Sequence, residues 1–88
     1  MQAGDWIKQD RGILYGRAVG DDVTYGLLVE KQKNGGFKAV TFNTGYKKAA
    51  VQSTAHWYPS PVVINATEVP DDIIRKISGK MFKMKGRV

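Results

Sequence analysis

The chain has 88 residues, a formal net charge of +6, 42% hydrophobic residues and no cysteine. That length holds one domain with one modest core, and that apolar content excludes disorder through the body of the chain. The lack of cysteine excludes a disulfide framework and thiolate chemistry, which fits a reducing, cytoplasmic setting.

The opening MQAGDWIKQD carries acids and no apolar run, so it does not read as a secretory signal. Asp5–Gln9 reads as a short extended piece, with a turn at Asp10-Arg11-Gly12. A strand is expected over Ile13–Val19, then a turn at Gly20-Asp21-Asp22. Val23–Lys31 is the clearest strand, with Val23, Tyr25, Leu27 and Val29 on one face. Gly16 and Gly26 fall inside these runs, where glycine marks a bulge or sharp bend and suits a small barrel. Asn34-Gly35 is the strongest hairpin signal. Centring the turn there sets Val29 against Val40, Leu27 against Phe42 and Lys31 against Lys38, the last an unfavourable pairing of like charges.

Asn43-Thr44-Gly45 predicts the next turn, before a moderately extended Tyr46–Val51. The uncharged stretch from Ala49 to Thr67 contains Gln52, Ser53, Thr54, His56, Pro59, Pro61 and Asn65, so it reads as loop and strand, not as a membrane span. Gln52–Pro61 is irregular and Val62-Val63-Ile64 strongly β-prone. Pro70 opens a helix, Asp71 and Asp72 suit its positive end, and Ile73, Ile74 and Ile77 form its apolar stripe. Gly79 predicts its stop, giving a domain over 1–79 with helix 70–79 and a basic tail over 80–88. Trp6, Tyr25 and Phe42 are expected in the core.

The residues GDWIKQDRGILYGRAV, VTYGLLVEK and FKAVTF, spanning Gly4–Phe42, resemble the start of SH3-like small barrels of the KOW and Tudor type. The resemblance implies a mainly β fold: a barrel of about five strands, SH3-like or alternatively OB-like, here with one C-terminal helix. KOW-type barrels commonly bind RNA or the ribosomal and transcription machinery, and related Tudor-like barrels that recruit RNA polymerase make protein contacts. Chromatin-reading members need an aromatic cage, and no set of aromatics here maps onto one. The stretch from Tyr46 to Pro61 and the helix depart from a minimal barrel.

Catalysis has little to work with. His56 is the lone histidine, the carboxylate pairs Asp21-Asp22 and Asp71-Asp72 suit a turn and a helix start, and the glycines form no phosphate-binding loop. The expectation is a protein that is not an enzyme and uses no cofactor or metal.

Binding has more to build on, because charge is sorted along the chain. No acid occurs from Lys31 to Thr67, where Lys31, Lys33, Lys38, Lys47 and Lys48 lie, nor from Ile73 to Val88, which holds Arg75, Lys76, Lys80, Lys83, Lys85 and Arg87. Such segregation predicts a surface that meets a polyanion. The expected phosphate contacts are Lys31, Lys33, Lys38, Lys47, Lys48, Lys80, Lys83, Lys85 and Arg87, with Trp57 and Tyr58 as stacking groups. The His56-Trp57-Tyr58 cluster reads either as a contact patch or as a loop folded over the barrel mouth. The segment KMFKMKGRV reads as a solvated tail, as an arm that orders on a polyanion, or as a docking segment through Met81, Phe82 and Met84. The leading expectation is a DNA- or RNA-binding module. The alternative is an interaction module, such as a phage or mobile-element accessory protein, that meets an acidic surface of transcription or translation machinery. Replacing Lys47 and Lys48 by alanine is expected to weaken binding alike on all sequences and to lower its salt dependence in a titration.

Overall fold

The computed structural model describes residues 1–14 and 22–85. Five strands form one antiparallel sheet: β1 (Trp6–Asp10), β2 (Val23–Lys31), β3 (Phe37–Asn43), β4 (Lys48–Ser53) and β5 (Val62–Ile64). A four-residue helix α1 (Arg11–Leu14) follows β1, a single 3-10 turn covers Ala66–Glu68, and helix α2 (Asp71–Lys85) is the last described element. The fold is mainly β with one long C-terminal helix, as the sequence predicts. Strand order is β4-β3-β2-β1-β5, and among the described residues no pairing between β4 and β5 closes the sheet into a barrel.

Period-two alternation gives the sheet two chemically distinct faces. On one face, Val40 and Phe42 pack with Val69, Ile73 and Ile77, joined by Trp6, Tyr25, Leu27, Val29, Ile64, Ile74 and Met81. Ile73 and Ile77 are buried because they lie one turn apart on the same side of α2. The predicted isoleucine stripe thus docks the helix. Pro70 lies one position ahead of its expected place: it caps the helix, its carbonyl accepting the N–H of Ile73 and Ile74. Glu68 takes the Asn65 N–H at 2.8 Å and closes the turn that leads in.

The opposite face buries Ile7, Leu28, Phe37 and Ala39 beneath Trp57, which arrives on the loop of residues 54–61. That loop is tied down at both ends. Thr54 exchanges two hydrogen bonds with Phe37, N–H to carbonyl at 2.9 Å and hydroxyl from N–H at 3.0 Å. The buried Gln9 donates its Nε2 to the Pro59 carbonyl at 2.8 Å.

Three local expectations change. The strand predicted over Ile13–Val19 begins as α1, and Tyr15–Val19 with the Gly20-Asp21 turn lie outside the described residues. The β2–β3 connection is a wider turn closed by Gln32 N–H to Gly36 O at 2.9 Å, with a bulge between Leu28 and Glu30. Leu27 therefore faces Val40, Tyr25 faces Phe42, and Lys38 lies opposite Glu30 instead of Lys31, so opposite charges face each other. Gly26 is not at the bulge; it lets β2 lie close to its neighbours, since a Cβ there meets Thr41 at 3.2 Å and Ile7 at 3.3 Å. The helix also runs through Gly79 to Lys85, so 80–85 are helical and no free tail starts at residue 80. One exposed glycine costs a helix only about 1 kcal/mol, and the contact of Met81 with the core offsets it.

Gly36 shows how tightly the 54–61 loop sits. A Cβ there lies 2.6–2.8 Å from Ala55 N, Cα and Cβ, closer than backbone can yield. Gly36→Ala is expected to destabilise the fold by about 2 kcal/mol in urea titration and to change Trp57 fluorescence. An unchanged midpoint and spectrum would refute this packing.

Candidate functional site

Two concave features flank the β3–β4 turn. Asn43 organises that turn. Its Oδ1 accepts the N–H of Gly45 at 2.8 Å and of Tyr46 at 2.9 Å, while its Nδ2 donates to Thr24 at 2.9 Å and Asp22 at 3.3 Å. Both ends of one side chain are thereby used, and the turn is anchored to β2. Lys47 follows with φ +53°, a left-handed conformation that costs a β-carbon residue about 1–2 kcal/mol, and its N–H donates to the Asn43 carbonyl at 2.7 Å.

On the helix side, a groove of about 300 Å³ runs between α2 and the β3–β4 hairpin. Phe42, Ala49 and Gly79 line it together with Lys47, Arg75, Lys76, Lys80 and Lys83. The Lys76 ammonium stands 5.6 Å from the centre of the Phe42 ring, within cation–π reach. Gly79 leaves space at the groove: nothing lies within 4 Å of a Cβ built there. Among the described residues the one ion pair is Arg11–Asp22 at 3.2 Å, so the five groove cations meet no carboxylate. Lys76 and Lys80 are spaced i, i+4, where like charges repel by about 0.2–0.5 kcal/mol. The C-terminal half of a helix favours cations through its dipole, yet that serves Lys80 and Lys83 better than Lys47, which comes from another element.

On the opposite face lies a pocket of about 500 Å³. Its floor includes the cross-strand row Gln9, Thr24 and Asn43, and its rim Tyr46, Trp57 and Tyr58. Trp57 is half-buried, while Tyr46 and Tyr58 are 80% and 74% exposed. The loop folds over the sheet through Trp57 and presents Tyr58 outward.

The structure gathers the expected phosphate contacts unevenly. Lys47, Lys80 and Lys83 share the groove. Lys48 pairs with Asn43 and so points to the other face. Lys31 and Lys33 stand exposed at the β2–β3 tip, and Lys38 sits near that end, five residues of β3 from Asn43, or about 17 Å. These three are apart from the groove. Lys85 ends α2, and Arg87 lies outside the described residues. The expected docking patch is divided: Met81 packs against the core and Phe82 is 79% exposed.

Arg75 and Lys76 were not among the expected contacts. Their signal is the helical spacing of Lys76, Lys80 and Lys83 at i, i+4 and i+7, which a helix stop at Gly79 conceals. Gln9, Thr24, Asn43 and Gln52 carry no such signal, because only strand register assembles them.

No group of three or more histidines, cysteines or acids that could hold a metal occurs among the described residues. None of their helices is long and apolar enough to cross a membrane. Comparisons with protein-family models, curated proteins and solved structures return no match to this chain.

Asn43→Ala removes four hydrogen bonds from the turn that shapes both concavities. Its expected cost is about 2–3 kcal/mol in denaturant unfolding, with faster amide exchange at Gly45 and Tyr46. Exchange at the wild-type rate would show that the turn holds without Asn43.

Proposed function

We propose that this chain is a non-catalytic nucleic-acid-binding module whose helix–hairpin groove receives backbone phosphates. One observation carries the reading: five cations from two separate elements converge on one groove with no carboxylate partner among the described residues. Such an arrangement is self-repelling in the free protein, and a polyanion relieves the repulsion while releasing its own counterions. Lys47 in a left-handed conformation supports it, since a residue held at local cost beside a charged groove points to use of its side chain. Phosphate contacts of this kind hold any strand and read no sequence. The resemblance of Gly4–Phe42 to small barrels of the KOW and Tudor type is compatible with RNA binding and equally with protein contact.

The test is fluorescence anisotropy with labelled duplex DNA, single-stranded DNA and RNA across ~50–200 mM salt. Affinity is expected to fall steeply with salt, and the double variant Lys76→Gln/Lys80→Gln to reduce the log–log slope by about two. Its melting temperature should change little, because relief of the Lys76–Lys80 repulsion offsets loss of the Lys76–Phe42 contact. Absence of binding at the lowest salt would sink the reading in favour of an acidic protein partner, with the exposed Phe82 as the place to seek its contact.

A further inference from the structure

The pocket on the face opposite α2 has a chemistry the groove lacks. We propose that it receives an unpaired base, making the preferred ligand a single strand whose phosphates lie along the lysines of the β3–β4 turn; this rests on the groove reading above. The pocket is close to charge-balanced, since its Arg11 is engaged by Asp22 through Nε and the terminal nitrogen. It therefore has little to offer a bare phosphate and suits a neutral group.

Its aromatic rim specifies a planar one. Tyr46 and Tyr58 come from separate segments and leave large ring surfaces in water beside the half-buried indole of Trp57. A base face covers such surface, and stacking is indifferent to sequence.

The floor adds an edge for hydrogen bonding. Gln9 is 6% exposed, its Nε2 is held by Pro59, and its Oε1 has no hydrogen-bond partner among the described residues. It belongs to the row that lines the pocket. Gln52 is alike: its Nε2 is given to Thr41, and its Oε1 has no hydrogen-bond partner among the described residues. Two open acceptors suit the N–H donors that every nucleobase carries on its pairing edge, an edge a duplex conceals. About 500 Å³ is within the range of small-ligand sites, ~300–1,000 Å³.

Continuity with the groove decides for a base over another neutral ring such as a sugar. Tyr46 lines the pocket and the next residue, Lys47, lines the groove. Lys48 pairs with Asn43 of the pocket floor. A strand passing over this turn meets cations on both sides of the base it inserts.

The experiment compares oligothymidylate of eight nucleotides, a duplex of equal phosphate number, and an abasic oligomer of the same length. Binding is read by anisotropy and by tryptophan fluorescence in a Trp6→Phe background. Oligothymidylate is expected to bind about tenfold more tightly than the abasic strand and to quench Trp57. Tyr46→Ala/Tyr58→Ala, which alters only exposed rings, is expected to abolish that preference while keeping the salt slope. Trp57→Ala is the less suitable variant, since it also uncovers the core. Equal affinity for base-bearing and abasic strands, with salt dependence intact, overturns the pocket proposal and leaves the groove standing. Loss of salt-dependent binding to all three overturns the groove reading instead. Quenching by a neutral oligosaccharide such as maltotriose, without quenching by oligothymidylate, assigns the pocket to sugars and also overturns the proposal.

Discussion

The hydrogen bonds of Asn43 are the constraint on which the two concavities of this protein depend. One amide side chain fixes two backbone N–H groups of the β3–β4 turn and ties the turn to Thr24 and Asp22. The chain can then deliver Tyr46 to one face of the sheet and Lys47 to the other. An apolar residue at position 43 would supply neither half of that network. The same amide also engages Asp22, which holds Arg11, so charge balance in the pocket and the shape of the turn derive from one cluster.

The sheet solves the burial problem differently on its two sides. A helix covers one face with isoleucines, and its outer flank is left to carry cations. The other face is covered by an irregular loop whose main chain is secured by Thr54 and Gln9. A loop spans less area than a helix, so the polar row Gln9, Thr24 and Asn43 stays beside it as the floor of a pocket. Apolar burial supplies the driving force on both faces, while the difference between covers decides where water and ligands can enter.

Much of this was legible in the sequence where the signal is local. The alternation in Val23–Lys31, the β-branched Val62–Ile64 and the isoleucines of α2 all follow periodicities set by backbone geometry. Asn34-Gly35 marked a turn but misplaced its register, because a bulge after Leu28 and a wider loop moved the partners. Gly79 read as a stop because its propensity is poor, and the packing of Met81 overrode it. The charge blocks foretold a basic surface, yet not that Lys31, Lys33 and Lys38 would stand at the far end of the strands from Lys47. Spacing along a chain does not report which strand ends meet. The pocket was illegible for the same reason, its residues being drawn from four strands, α1, a turn and a loop.

The margins of the sheet bear on how the protein behaves when its copies are crowded. β5 is three residues long, follows Pro61 directly and leaves Val62 and Val63 half-exposed. It offers too few main-chain groups to template a long foreign strand, and Pro61 contributes no donor. β4, at the other margin, opens with Lys48 and closes with Gln52 and Ser53, polar and exposed. Copies crowded side by side would meet blunt or charged borders, which disfavour strand addition from one sheet to the next.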